Sequence, residues 1–245
     1  NYERLLALIT EVHGRNYSAY GYRKTWKALL RAGEEVPRCT VQRLMAANGI
    51  EGAKRRGKPW RTTTPDPEAA RRPDLVNRDF SAEGPNQLWV ADLTYLRSWE
   101  GLSFLAFVLD VFSRRIVGWQ LASHMRTDLV LGALRMALAW RGDGADVELV
   151  HHSDRGSQYT SFDFTQELAD NEILASVGSV GDAYDNAMAE SFVDTFKTEL
   201  MADRVWRSHA QIELAAVEWI SWFNNERLHE SLGDIPPAEF EATHA

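Results

Sequence analysis

Cysteine is nearly absent: Cys39 is the single thiol in 245 residues. That excludes an internal disulfide framework and any cluster of thiolate ligands, and it fits a reducing compartment. Long apolar runs are absent too. The longest, FLAFVLDVF at 104–112, contains Asp110 and is far too short to span a bilayer. No secretory signal pattern opens the chain, and the first residue is Asn1, so a longer product is expected. There is no internal repeat and no low-complexity tract. What is abundant is ordinary: 44% hydrophobic residues and nine tryptophans, enough for one sizeable core and a smaller appended unit.

A surplus of positive charge is also missing overall, since the net charge is −8. It is present locally. Residues 1–80 hold 16 Lys+Arg against nine Asp+Glu, whereas residues 81–245 hold 11 against 26. A basic front beside an acidic body suggests a polyanion-binding arm joined to something that needs carboxylates. Two solvated surfaces of opposite sign would give the same count.

In the front, residues 2–13 have helical spacing, with Leu5, Leu8, Ile9 and Val12 on one face. Tyr20–Arg31 predicts a second helix ending near Gly33, and Pro37 opens a third that stops at Gly49. Two short helices across a glycine-containing turn have helix-turn-helix form, although such pairs also occur in domains that never touch DNA. If it is a reader, its second helix offers Arg38, Thr40, Gln42 and Arg43 to base edges and phosphates. Residues 52–80 form a basic linker in which Pro59, Pro65, Pro67 and Pro73 exclude a continuous helix. Its Lys54, Arg55, Arg56 and Lys58 suit phosphate contacts; a solvated interdomain linker is the plainer alternative.

The division expected is therefore 1–51 helical, 52–80 linker and 81–245 body. In the body, Gln87–Arg97, Leu102–Phe112 and Arg115–Ala122 read as an antiparallel meander. A helix over 128–140, a strand over 147–152, a helix over 162–171, a strand over 173–177 and helices over 183–201 and 209–225 follow, then a polar tail. The fold class is α/β: a mixed sheet with helices on its faces.

Three acids stand out by their settings. Asp92 shares a strand face with Leu88, Val90, Thr94 and Leu96, and a carboxylate among apolar neighbours is costly unless paired or metal-bound. Asp154 follows the strand VELVHHS, at a strand end where ligands bind in such sheets. Glu190 lies in a helical segment on the side opposite Met188, Phe192, Phe196 and Leu200, and Lys197 is two turns along its face. Three carboxylates without cysteines select Mg²⁺ or Mn²⁺ over zinc, and a pair of such ions serves phosphoryl transfer. Each acid also has a plain reading: a sheet-edge cap, a turn former and a solvated helix residue. His151 and His152 point to opposite faces of a strand, so a shared zinc is not expected.

WVADLTYL, HSDRGSQYTS, GDAYDNAMAESFVDTFKTEL and WFNNERLHESLGDIPPAEF together resemble the catalytic core of bacterial transposases of the insertion-sequence-three family, a retroviral-integrase-like DDE group. YGYRKTWKALL to VQRLMAANGI resembles the region ahead of that core. The resemblance implies an RNase H-like fold and makes Asp92, Asp154 and Glu190 the catalytic, metal-binding acids, with Lys197 near the scissile phosphate. It implies two Mg²⁺ or Mn²⁺ ions, double-stranded DNA as partner at element ends and target, and a homo-oligomer in the synaptic complex. It also implies a cytoplasmic protein, nucleoid-associated on DNA, with no membrane role. One departure is SVGSVGD (176–182), which lacks the basic residues some relatives carry there.

The reaction expected is 3′-end cleavage of an insertion sequence followed by strand transfer, without a covalent protein intermediate. An RNA:DNA-hybrid nuclease would use the same acids but leaves the basic front unexplained. A non-catalytic DNA-binding regulator would explain the front but not the acids.

Overall fold

The computed structural model describes residues 2–54, 74–76, 79–141, 148–154, 156–178, 187–202 and 204–245. Three helices come first: α1 (Tyr2–Arg15), α2 (Tyr22–Arg31) and α3 (Arg38–Ala47). The body then runs β1 (Leu88–Ser98), β2 (Gly101–Asp110), β3 (Ile116–Ala122), α4 (Thr127–Arg141), β4 (Val150–Ser153), α5 (Phe162–Asp170), β5 (Leu174–Val177), α6 (Ala187–Phe196), α7 (His209–Asn225) and α8 (Pro237–His244). The strands form one five-stranded sheet in the order β3-β2-β1-β4-β5. The first three strands pair antiparallel, while β4 pairs parallel to β1 and β5 pairs parallel to β4. This is the mixed α/β sheet expected from the meander followed by alternating helices and strands.

Alternation along β1 explains why the sheet is covered on both sides. Leu88, Val90 and Leu96 join a core that includes Ala189, Phe192 and Phe196 of α6 and Trp219 and Phe223 of α7. Trp89 and Ala91 join a second core with Leu129 and Leu134 of α4 and Phe164 of α5. Successive strand residues face opposite sides, so one strand anchors both layers. On the second face α4 lies so close to β3 that a Cβ at Gly118 would sit 2.1 Å from the Ala133 carbonyl oxygen.

A third, small core holds the front together: Ile9 from α1, Leu29 from α2, and Val41, Leu44 and Met45 from α3. The front is also docked on the body. The Leu228 amide donates to the buried Tyr20 hydroxyl at 2.7 Å, and the Trp222 indole N–H donates to Asn16 at 3.1 Å. Arg23, Lys27 and Arg31 of α2 pair with Glu230, Asp234 and Glu239. Exposed pairs of this kind contribute roughly 0–1 kcal/mol each. The buried Tyr20 contact and the Tyr17–Trp222 ring contact at 4.9 Å therefore matter more to the seam.

Two expectations need correction. The residues after α7 form no loose polar tail: Glu230–Leu232 make a 3₁₀ turn and α8 follows. Arg227, Leu228, His229 and Leu232 are buried there, with the Arg227 guanidinium bidentate on Glu199 at 2.7 and 2.9 Å. Burial beside Arg227 pushes the His229 imidazole down to about 2, so it is neutral. Nor does the α-helix around Glu190 continue to Met201, because Lys197–Met201 is wound as a π-turn. The expected linker at 52–80 falls mostly outside the described residues, but its end is docked: the Leu75 amide donates to Ser176 Oγ at 2.9 Å and Val76 is buried.

Gly118→Ala is expected to destabilise the fold at the upper end of about 1–3 kcal/mol, because the clash is with helix backbone that cannot rotate away. Chemical denaturation of the variant tests this. A midpoint equal to wild type would mean that α4 does not hold its position on β3.

Candidate active site

The register of β1 on β4 builds the site. Val90 pairs with His152 and Ala91 with Ser153, the last residue of β4. One step further along the two parallel strands, Asp92 and Asp154 are neighbours, at an interstrand spacing of about 4.8 Å. Val90 and the partly buried Val150 both contribute to the core under α6, so this step places Asp92 toward the α6 side of the sheet. β4 stops at Ser153 whereas β1 runs on to Ser98, paired beyond that point only with β2. The acid pair therefore sits at a step in the sheet.

Electrostatics follow from that placement. Burial, then the Asp154 carboxylate beside it, pushes the Asp92 carboxyl up to about 7; Glu190 adds to the rise and Lys197 opposes it. The Leu93 amide donates to Asp92 Oδ1 at 2.7 Å. Asp154 Oδ1 accepts from the Gly156 amide at 3.0 Å, in a turn so tight that a Cβ at Gly156 would sit 3.0 Å from that oxygen. Glycine permits this close approach of backbone to carboxylate.

Glu190 is in the first turn of α6, exposed, while Ala189, Phe192 and Phe196 of the same helix are buried. Its carboxyl is raised by partial burial and by Asp194. The structure thus brings Asp92 and Asp154 together and leaves Glu190 within electrostatic reach of Asp92. Among the described residues no group of three or more His, Cys, Asp or Glu side chains stands close enough to hold a metal ion. Lys197 begins the π-turn, with its ammonium 4.6 Å from the centre of the Tyr95 ring on β1. Burial lowers its pKa, and Asp92 and Asp194 pull it back up. The lysine thus reaches the acid site from the far end of the helix that carries Glu190.

The two histidines face opposite ways, as the strand period requires. His151 packs on Phe164, and His152 shares a hydrogen bond with Ser176 Oγ at 2.9 Å. Sequence reasoning passed over Tyr159, although it lies inside the quoted HSDRGSQYTS stretch. Its ring is buried, and its hydroxyl is held well above its ordinary pKa by burial and by Asp92 and Asp154. In the front, Arg38, Gln42 and Arg43 are exposed on α3, whereas Val41, Leu44 and Met45 face inward. Arg38 and Arg43 make no ion pair among the described residues, unlike Lys54, which pairs with Glu51. Arg55, Arg56 and Lys58 lie outside the described residues.

Sheet order, acid pair and flanking helices define the class as an integrase-type catalytic core, a polynucleotidyl transferase fold. Models of the integrase core domain match residues 82–183 and 171–237, and a model of an HTH-like domain matches residues 1–58. The chain is 49% identical over 240 residues to a Mycobacterium tuberculosis (strain CDC 1551 / Oshkosh) protein named as a transposase for insertion sequence element IS986/IS6110, covering 96% of this chain and 86% of that one. It is 49% identical over 237 residues to the transposase for insertion sequence element IS629 of Shigella sonnei, covering 96% and 78%. It therefore belongs to the integrase-core family of insertion-sequence transposases. A chain of the simian T-cell lymphotropic virus intasome in complex with PP2A regulatory subunit B56 gamma shares the fold, with a TM-score of 0.54 at 12% identity, over 95% of this chain and 74% of that one. No helix among the described residues is long and apolar enough to cross a membrane.

The Asp92 carboxyl binds its proton more tightly folded than unfolded, so without a cation it opposes folding increasingly as pH rises from about 4 to about 7. Asp92→Asn is expected to stabilise the cation-free protein by roughly 2–4 kcal/mol at pH 8 and by little at pH 4. Denaturant titrations at the two pH values measure it. A pH-independent difference would contradict the electrostatic account.

Proposed function

We propose that this chain cleaves insertion-sequence DNA at a 3′ end and joins the freed hydroxyl to another phosphodiester, with divalent cations held by Asp92, Asp154 and Glu190. The observation that carries the reading is the register-adjacent pair of half-buried carboxylates, one of them pushed up to about 7. Two like charges so placed call for a cation, and an oxygen-only donor set suits Mg²⁺ or Mn²⁺, in two positions for phosphoryl transfer. When bound, such ions stabilise the charge that develops on the phosphate and its attacking and leaving oxygens.

The protein's own groups divide the remaining work. Asp92, on which both Asp154 and Glu190 act, would be the acid shared by the two ion positions. Glu190 approaches from α6, a separate element packed on the sheet through Ala189, Phe192 and Phe196. Lys197, anchored over Tyr95 and close enough to feel Asp92, offers its ammonium to a DNA phosphate beside the reacting bond. We assign residues 1–51 to DNA docking, with Arg38, Gln42 and Arg43 of α3 toward a groove, and residues 52–80, including Lys54, Arg55, Arg56 and Lys58, to a phosphate-contacting linker. Residues 81–245 are the catalytic unit. Element ends must be brought together, so the working form is a homo-oligomer on DNA.

Asp154→Asn tests the reading with labelled element ends and Mg²⁺. Cleavage and joining should fall below about one hundredth of the wild-type rate, more than loss of an outer contact to the ion costs. DNA binding should be retained. Wild-type cutting by this variant would sink the acid assignment, and preferential cutting of an RNA:DNA hybrid would point to a nuclease instead.

A further inference from the structure

The hydroxyl of Tyr159 is a buried polar group with no evident structural use. The residue is 4% exposed and sits in the turn between Asp154 and α5. Its ring stands edge-on to Phe164 at 5.3 Å and beside His151 at 6.3 Å, within the core on the α4–α5 face of the sheet. The hydroxyl oxygen is shielded from solvent and has no hydrogen-bond partner among the described residues. Leaving such a group unsatisfied costs about 1–3 kcal/mol, and phenylalanine would fill the same space without that cost. A buried orphan of this kind needs an explanation.

Its surroundings supply one. The charges that act on the hydroxyl are Asp92 and Asp154. Tyr159 is tied to that site through the chain as well: its amide donates to the Gly156 carbonyl at 3.0 Å, and the Gly156 amide donates to Asp154 Oδ1. The α6 helix, bearing Glu190, covers one face of the sheet, and Tyr159 belongs to the core of the other. The acid pair is therefore flanked from both sides, by a third acid on one and by a hydrogen-bond donor on the other.

We propose that Tyr159 is a positioning residue for the cation site: its hydroxyl donates to a carboxylate oxygen of Asp92 or Asp154 that the cation leaves over, and so fixes how that carboxylate presents its other oxygen. Carboxylates that bind metals are commonly held by such outer donors, and losing one costs about 10–100-fold in metal affinity or activity. The inference rests on the cation reading of the acid pair given above. It assigns a function to a side chain whose polar atom is otherwise a liability.

Tyr159→Phe removes only that oxygen. Thermal unfolding of the full chain, titrated with Mn²⁺ in the absence of DNA, gives a readout independent of catalysis. The cation-free variant should unfold at the same temperature as wild type or higher, and the Mn²⁺ concentration for half-maximal stabilisation should rise about 10–100-fold. Strand cleavage at low Mn²⁺ should fall in step and recover at high Mn²⁺. A half-point within twofold of wild type would overturn the proposal, as would a lower cation-free unfolding temperature, which would mean the hydroxyl serves the fold itself. Asp154→Asn, run in parallel, separates the two readings. If it keeps the wild-type Mn²⁺ response, the cation site itself is wrong; if it loses the response while Tyr159→Phe keeps it, only the role of Tyr159 falls.

Discussion

Parallel pairing of β1 with β4 brings Asp92 and Asp154, 62 positions apart in the chain, onto neighbouring strands. Much else in the body serves that pairing or is a consequence of it. Two carboxylates on neighbouring strands at a half-buried site repel, and burial removes the water that would screen them. A sheet cannot relieve this by sliding, since a one-residue slip would turn every apolar side chain of β1 to the wrong face. The strand is held in register by cores on both sides, with Val90 and Leu96 under α6 and α7 and Trp89 and Ala91 under α4 and α5. Those cores hold the acids in a position that electrostatics alone would not choose.

Much of this was legible in the sequence because the strands carry their instructions locally. Alternation along QLWVADLTYL put Asp92 on an apolar face, and the end of VELVHHS put Asp154 at a strand terminus; both are as observed. The His151–His152 split followed from the same period. What could not be read was any choice of partner. The step in the sheet depends on β4 being four residues long while β1 has eleven, and the pattern of either strand alone does not set that. The residues after α7 read as a polar tail because residues such as Arg227, His229 and Glu230 dominate it; Arg227, His229 and the following Glu241 are nonetheless buried. They are buried because Arg227 meets Glu199, Glu241 meets Arg141, and His229 is held neutral. Polar groups enter a core in pairs, and a linear sequence shows only one member at a time. Tyr159 was missed for the opposite reason, since a lone aromatic in a turn looks like packing until its hydroxyl is found without a partner.

The uneven charge of the chain takes on a different meaning in three dimensions. Part of the basic front answers the acidic body directly, for α2 gives Arg23, Lys27 and Arg31 to the C-terminal acids. The cations on α3 are not used in that way, and Arg38 and Arg43 stay on the outside. One helix of the pair is therefore engaged with the body, while Arg38 and Arg43 of the next make no ion pair among the described residues. Part of the excess of positive charge in residues 1–80 thus serves contacts within the chain.

This division bears on how the two ends of the chain act together. A reading helix on a loose arm would have to be ordered anew each time DNA reached the acids, at an entropic cost for every residue fixed. The Tyr20–Leu228 and Asn16–Trp222 contacts instead tie the front to α7 and the segment beyond it. Trp222 shares its core with Phe192 and Phe196 of α6, the helix that carries Glu190 and leads into Lys197. The front is thus linked to α6 through packed aromatic side chains, Tyr20, Trp219 and Phe192 among them. Ala189, Phe192 and Phe196 pack α6 in turn against Val90 and Leu96 of β1.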